Sequence, residues 1–597
     1  MRSSGCGTLR GALAEEAGAL GTNAIVGGGV PIANGVAWAN KRKGDGDVVF
    51  SFMGDGAVNI GAVPESMNLA ALWDLPICFF IENNGFAVAT RIEEETRETR
   101  LSSRGMAYGI PAFRVDGMDP VAVSLAAGEA VKLMRKGKGP VIIEAECYRF
   151  FHHGGGIQGS AFGYRSKEEE AEWRKRDPLV ILAKGMVERG WLDDQRDATL
   201  RVKAQESMHQ VMDQLTVAED NQRTVIEGLW PKPEFRDQGL RGDLSEFDDA
   251  RFEELETFGG AVAEVKFIDV VSQVMGRRME TDDRIFCIGE DIHRLNGGTN
   301  GATKGLCDRF PGRIVGTPIA EQGFTGLAGG VAMEGTYRPV VELMYADFTL
   351  VSADQVFNQI GKARHMFGGD TAMPIVIRTK CAIGTGYGQQ HSMEPAGLYA
   401  NWPGWRIVAP ATPFDYVGLM NSALRCEDPV LMIEHVGLYG STGLGPVDDF
   451  DYHIPLGKAK IVRPGEAFTV LSYLAMTPLA VEAAEQMGLD AEVIDLRSLD
   501  RAGIDWDTIG RSIHKTNSVT VLEQGPLTTS YGAMLTDEIQ RRFFDDLDQP
   551  VKRIHGGEAS PSVSKVLERA AVVGLPEIRR GYADLMADIG LGHMVAE

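Results

Sequence analysis

Long apolar runs are missing from this 597-residue chain, and no stretch is long and apolar enough to cross a bilayer. The first residues, MRSSGCGTLRGALAEEAG, lack the apolar core of a signal peptide. Cations are in deficit: 60 Lys and Arg stand against 83 Asp and Glu, a net charge of -23. No basic stripe is at hand to neutralise phosphates, which argues against nucleic acid or an anionic membrane as a partner. CxxC pairs are also absent. The seven cysteines, Cys6, Cys78, Cys147, Cys287, Cys307, Cys381 and Cys426, are odd in number, and several lie in apolar runs such as PICFFIEN and RIFCIGED. They read as buried reduced thiols of a cytoplasmic protein, not as a zinc site. An organellar presequence ahead of this start is left open.

What is present suits several packed cores: 44% of residues are hydrophobic, and the length predicts three or four domains. VVFSFM (48–53), PICFFIEN (76–83) and PVIIEAECYRF (140–150) read as strands, with PESMNLAALW (64–73) a helix between the first two. Strands separated by helices predict an α/β fold with a parallel sheet. Residues 166–216 read as charged helices. Residues 217–261 lose periodicity and carry many acids, as in LSEFDDARFEELE, and read as a linker or arm. A second α/β run follows over 262–453, with RIFCIGED, GRIVGTPI, RPVVELMY and PIVIRT as strands. A third covers 454–597, with FTVLSYL, DAEVIDL and SVTVLEQ as strands and a helix in PLAVEAAEQMG that stops on its glycine.

The most informative segment is GDGAVNIGAVPESMNLAALWDLPICFFIENNGF (54–86). Asp55 follows one strand and Asn84 the next, 29 positions on, so both emerge at the carboxyl edge of a parallel sheet, where such folds bind ligands. Gly54 and Gly56 let the backbone turn tightly and approach a ligand. Oxygens from Asp55, Asn84 and a nearby carbonyl suit Mg²⁺ shared with phosphate, and the following helix offers N-terminal amides to the same anion. A lone GDG is common; GDG, helix, strand and ENN at this spacing are far more specific.

This segment resembles the thiamine diphosphate motif of transketolase-like enzymes. Its flanks, AIVGGGVPIANGVA, RVDGMD, GPVIIEAECYRF and YRSKEEEAEWRKRDP, resemble the alpha subunit of 2-oxo acid dehydrogenase first (E1) components. GEDI, GGTNGATKGL, TPIAEQGFTGLAGG, YADFTLVSADQ and QQHSMEP resemble the beta subunit, in the same order. The resemblance implies fused alpha and beta parts. Their domains would be an alpha-type cofactor domain (1–216), a charged linker (217–261), a beta-type pyrimidine-binding domain (262–453) and a transketolase C-terminal-like domain (454–597).

Carried over residue by residue, the resemblance places Mg²⁺ on Asp55, Asn84 and the carbonyl of Phe86. The diphosphate would lie at Gly54, Gly56 and Ala57, and the aminopyrimidine by Val26. It makes Glu321 the acid that activates the cofactor, a task that needs a pKa above that of a free glutamate, and Phe348 the aromatic packed on the pyrimidine. His391 would hold the substrate carboxylate or relay protons. Of His152 and His153, a gapless match selects His153, in a Gly-rich loop expected to be mobile. Some relatives bind K⁺ through carbonyls, here Ile375, Ala423, Leu424, Cys426 and Asp428.

The family's alpha subunit also has a long helical segment, with a Tyr-Arg pair and a substrate-pocket histidine, which is not found before Val26. The chain is therefore expected to be shortened at its N-terminus, with cofactor binding weaker by about 1.5–3 kcal/mol for the lost Arg–phosphate contact. The implied activity is oxidative decarboxylation of pyruvate or a branched-chain 2-oxo acid. The acyl group would pass to a lipoyl group on a separate acyltransferase (E2), and a homodimer of fused chains is expected. The alternatives are an acetoin dehydrogenase E1 or a truncated, non-catalytic scaffold of the complex.

Overall fold

The computed structural model describes residues 18–590, apart from 220–221, 231–238, 242, 368, 370 and 529. Cys6 and the expected N-terminal shortening lie outside the described residues. The chain divides into two compact units. Unit 1 holds residues up to Pro233 together with Gln322–Glu334 and His365–Thr371; unit 2 holds the rest.

Unit 1 is built on strands β1 (Val49–Gly54), β2 (Ile77–Asn83), β3 (Ala112–Asp116) and β4 (Val141–Glu146), in the order β1-β2-β4-β3. All are parallel. The first five residues of β2, ICFFI, are buried, as expected of a strand covered on both faces. On one face, helix α3 (Pro120–Arg135), capped by the Asp119 side chain, packs Ala126, Ala130 and Met134 against Cys78, Val141 and Ile143. Helix α1 (Gly29–Lys43) ends in a basic turn and a left-handed Gly44, a favourable close to a helix dipole. Helix α2 (Ala62–Leu72) fills the β1–β2 crossover. The charged stretch after Arg165 forms helices over Lys167–Arg174, Pro178–Glu188 and Asp194–Leu215.

One more helix belongs here although it comes from the middle of the chain. Helix α4 spans Glu321–Glu334, and from Gln322 onward it is part of unit 1. It crosses α1 with the backbones touching. A Cβ on Gly330 would stand 2.0 Å from the Ile32 carbonyl oxygen, and one on Gly35 would stand 2.1 Å from that of Leu327. The Gly323 N–H donates to Glu65 Oε2 of α2 at 2.8 Å, and Lys43 pairs with Glu334 at 3.0 Å. Gly323 and Gly330 of the run GFTGLAGG thus stand where a side chain would push the neighbouring helices away.

Unit 2 holds two larger sheets. The first has β5 (Ile285–Glu290), β6 (Ile314–Thr317), β7 (Arg338–Leu343), β8 (Val376–Cys381), β9 (Arg406–Val408) and β10 (Val430–His435), in the order β6-β5-β7-β8-β10-β9, all parallel. Its core carries charge: Arg378 bonds to Glu434 at 2.8 Å and to Glu342 at 3.0 Å, and Lys380 bonds to Glu342 at 3.0 Å. Two cations face two carboxylates, so the buried layer is neutral and satisfied, as burial of ions requires. The second sheet has β11 (Lys460–Arg463), β12 (Phe468–Ser472), β13 (Ala491–Asp495), β14 (Val519–Pro526) and β15 (Lys552–Gly556), in the order β11-β13-β12-β14-β15, with β11 antiparallel.

The acid-rich stretch expected as a linker is not one throughout. Thr216–Glu219 and Gln222–Val225 pair as a hairpin. Within this stretch, the described residues from Gly239 onward are built into unit 2. Glu254 takes both Nη atoms of the fully buried Arg497, at 2.7 and 2.8 Å, and Glu246 Oε1 accepts the Glu427 N–H at 2.9 Å. Val262–Lys266 then pairs antiparallel with Thr442–Pro446. The acids resemble solvated charge in the sequence, but several neutralise arginines far along the chain.

Candidate active site

Asp55 sits where β1 stops, and Asn84 directly after β2. Asp55 is 2% exposed. Its Oδ1 accepts a hydrogen bond from Asn84 Nδ2 at 3.2 Å. Its Oδ2 is buried with no hydrogen-bond partner among the described residues. Burial pushes the carboxyl pKa up, against the pull of the Asp55, Gly56 and Phe86 backbone N–H groups and the Arg149 charge. Phe86 opens a short hairpin, Phe86–Ala87 with Thr90–Arg91. It turns its N–H to Asp55, and an extended residue carries its carbonyl on the same side. Gly56 leaves no room for a side chain, since a Cβ would lie 2.5 Å from that of Ala87. Ala57 is buried, and Val26, just before α1, is 53% exposed.

One residue here went unremarked in the sequence. Arg165, in YRSKEEE, is 3% exposed. Its Nη2 donates to both the carbonyl and Oδ1 of Asn84, each at 2.9 Å. Its guanidinium lies 4.6 Å from the Phe86 ring centroid and 4.3 Å from that of Tyr148. Asn84 therefore shows its amide nitrogen to Asp55 and its oxygen to Arg165, the natural choice beside an uncompensated carboxylate. The buried, undonated Oδ2 fits a divalent cation; for Asn84 to join as a ligand, its amide must turn round.

Beyond β4 the chain makes a closed loop, with the His152 N–H on the Ile157 carbonyl at 2.7 Å and the Gly159 N–H on that of Phe150 at 2.9 Å. The His152 ring packs on Phe162 at 4.6 Å, and its Nδ1 accepts the Gly154 N–H at 3.1 Å. His153 is exposed.

In unit 2, Glu321 lies at the junction between β6 and α4 and is 8% exposed. His391 and Phe348 come together: their rings are 5.3 Å apart and nearly perpendicular. Tyr345 lies 4.8 Å from His391 on another side, and Tyr387 lies 6.3 Å from it. The adjoining Asp347 accepts the Met393 N–H at 3.1 Å. Tyr345 was present in YADF, but only the ring contacts reveal its part.

Three of the five carbonyls expected for K⁺ already accept hydrogen bonds. The Ile375 carbonyl accepts the Val430 N–H at 2.9 Å. Those of Leu424 and Cys426 accept from Arg338 Nη1 at 3.0 and 3.3 Å. The Asp428 carboxylate pairs with Arg364 at 2.7 Å and Arg406 at 3.2 Å. Ala423 is buried in helix Pro413–Arg425. The six cysteines among the described residues are free thiols, with burial pushing Cys78 and Cys287 up to about 12.

Two parallel-sheet regions and a smaller C-terminal sheet, with acids at strand ends, are the build of a thiamine-diphosphate fold, and family models agree. Residues 3–227 match the dehydrogenase E1 component, 263–442 the transketolase pyrimidine-binding domain, and 457–578 the transketolase C-terminal domain. The pyruvate dehydrogenase E1 component subunit beta of Dictyostelium discoideum (mitochondrial) is 36% identical over 52% of this chain and 88% of its own. The chloroplastic subunit beta-2 of Arabidopsis thaliana is 36% identical over 54% of this chain and 78% of its own. A solved structure described as a split gene transketolase, inactive beta4 tetramer, aligns at TM-score 0.45 and 18% identity over 54% of this chain and 99% of its own. The chain belongs to the pyruvate dehydrogenase E1 family, with alpha-type and beta-type parts in one polypeptide.

Proposed function

We propose that this chain carries out thiamine-diphosphate-dependent oxidative decarboxylation of a 2-oxo acid, pyruvate or branched-chain, and passes the acyl group to a lipoyl group on an acyltransferase partner. The observation that carries this reading is Asp55 Oδ2, buried without a donor among the described residues at the carboxyl edge of a parallel sheet. A buried carboxylate left so is costly until a cation meets it.

When bound, thiamine diphosphate supplies the nucleophilic carbon and the electron sink. Asp55, Asn84 and the Phe86 carbonyl would hold Mg²⁺, an oxygen-seeking ion that shares phosphate oxygens. Gly54, Gly56 and Ala57 would give the diphosphate close backbone contact, and Val26 would meet the pyrimidine. Glu321 would share a proton with the pyrimidine ring nitrogen, and Phe348 would pack on that ring. Held edge-on by Tyr345 and Phe348, His391 would meet the substrate carboxylate with little loss of freedom. His153, exposed, would serve the incoming acceptor. A homodimer and a cytoplasmic setting belong to the same reading. Among the described residues no helix is long and apolar enough to cross a membrane.

The test is an artificial-acceptor assay with thiamine diphosphate and Mg²⁺, offering pyruvate, branched-chain 2-oxo acids and acetoin. Turnover of a 2-oxo acid, lost in Asp55→Asn, is expected. Turnover of acetoin alone would move the chain to the acetoin-cleaving relatives. Silence with every substrate would leave a non-catalytic scaffold and overturn the proposal.

A further inference from the structure

The loop that carries His391 is poorly equipped to hold its own shape. It leaves β8 at Cys381 and runs as AIGTGYGQQH to His391. Gly384, Gly386 and Gly388 all have left-handed backbones, with φ of +84°, +84° and +85°, and glycine loses more freedom on ordering than any other residue. The loop's own backbone closes two turns. The Thr385 N–H meets the Ala382 carbonyl at 3.1 Å, and the His391 N–H meets that of Gly388 at 3.2 Å. Its rings are nevertheless placed: that of Tyr387 lies 5.3 Å from Tyr345 and 6.3 Å from His391.

A segment from far along the chain lies against this loop. Residues 561–572 leave the C-terminal sheet after β15 and come back to it. The Gly557 N–H donates to the Ala571 carbonyl at 3.1 Å, and a Cβ on Gly557 would stand 2.1 Å from the Ala570 carbonyl oxygen, so the two feet of the segment meet. Just beyond, Val573 is buried in the C-terminal core with Ile554 and Ile578. The middle is stiffened by the short helix Lys565–Glu568. The Glu568 N–H donates to the Ser564 carbonyl, and the Ala571 N–H to the Glu568 carbonyl, both at 2.8 Å. From this frame the Glu568 side chain, 2% exposed, reaches the loop: its Oε1 accepts the Gly384 N–H at 2.8 Å. Contact continues at the next two glycines. A Cβ on Gly386 would lie 3.3 Å from the Lys565 side chain, and one on Gly388 would lie 2.6 Å from Val563 Cγ1. Three alternate residues of the loop thus meet three points of the segment.

We propose that Glu568 is a positioning residue, whose bond to the Gly384 N–H clamps the loop against the 561–572 strap and so sets where Tyr387 and His391 stand. The bond crosses 184 positions and supplies from the C-terminal sheet the stiffness that the loop's glycines withhold. A carboxyl this buried is costly without a donor, and the Gly384 N–H meets that need only while the loop stays in place. A displacement of about 1 Å at a group that orients substrate can cost on the order of a hundredfold in rate, so a clamp seven positions before His391 reaches the chemistry without touching it. The catalytic part of this inference rests on the proposed function; the clamp itself does not.

The test compares the full chain as wild type, Glu568→Gln, Glu568→Asp and Glu568→Ala. Hydrogen exchange is read on peptides covering 382–391, and the acceptor assay gives kcat and KM for the 2-oxo acid that wild type turns over. Glu568→Gln should keep wild-type exchange and rates, because its amide oxygen can accept the same N–H. Glu568→Asp keeps the charge but is one methylene too short, and Glu568→Ala has no acceptor. Both should exchange several-fold faster over the loop and lose about tenfold in kcat/KM, while thiamine diphosphate affinity by calorimetry stays at the wild-type value. The Asp variant gives the same reading should the Ala variant fail to fold. Unchanged loop exchange in both overturns the clamp, and so does a Gln variant that behaves like Ala. Faster exchange with unchanged kcat/KM shows a clamp that does not position His391, and overturns that half. So does an equal fall in cofactor affinity, the mark of general loosening. A wholly inactive wild type would sink the proposed function while the exchange data still decide the clamp.

Discussion

Asp55 is asked to be two things at once, a buried acid and a ligand for a cation. Its folded pKa lies above the free value, so its contribution to stability is present at low pH and is lost as pH rises through that value. The expected outcome for Asp55→Asn is a melting temperature, without cofactor, that gains on wild type as pH rises above the unfolded carboxyl value of about 4. The same variant should lose Mg²⁺-dependent thiamine diphosphate binding in calorimetry. Unchanged affinity would take Asp55 out of the metal site. Much of this was legible, because GDG and ENN are local signals that a sheet edge brings together. Arg165 was not, although it stood inside a quoted motif: its bond to Asn84 crosses 81 positions, and nothing in YRSKEEE says which way the guanidinium turns.

At the level of elements, the apolar strands were legible, because a strand buried on both faces has little choice of residue, though the one read over 140–150 stops at Glu146. The stretch over 217–261 was harder. Acidic, aperiodic sequence resembles solvated linker until the arginines it neutralises are located, and Arg497 lies 243 positions from Glu254. Helix α4 makes the complementary case. Its glycines mark a helix that another backbone approaches, though they do not name the partner. Gly330→Val, whose side chain would meet the Ile32 carbonyl, should cost about 3 kcal/mol as overpacking. Thermal unfolding measures this, and a loss below about 0.5 kcal/mol, the size of an ordinary surface change, would show that the crossing is looser than drawn.

For the molecule as a whole, the order of domains along the chain and the grouping of its parts in space differ. The pyrimidine-binding match runs over 263–442, yet residues 322–334 within it belong to unit 1. A protease site introduced within 231–238 tests what this implies. After cleavage the two fragments should still elute together, held by α4 on α1 and α2; separate elution would show that the covalent join does the holding.

The meeting of Gly35 and Gly330 therefore bears on how such a chain could have come about. Two separately encoded polypeptides, one ending near the hairpin and the other beginning near Gly239, would carry this docking helix as a ready-made plug and recognise each other through it. Joining their reading frames would add little new affinity and would mainly fix their proportions at one to one. The crossing would do the work of pairing, and the fusion would do that of stoichiometry.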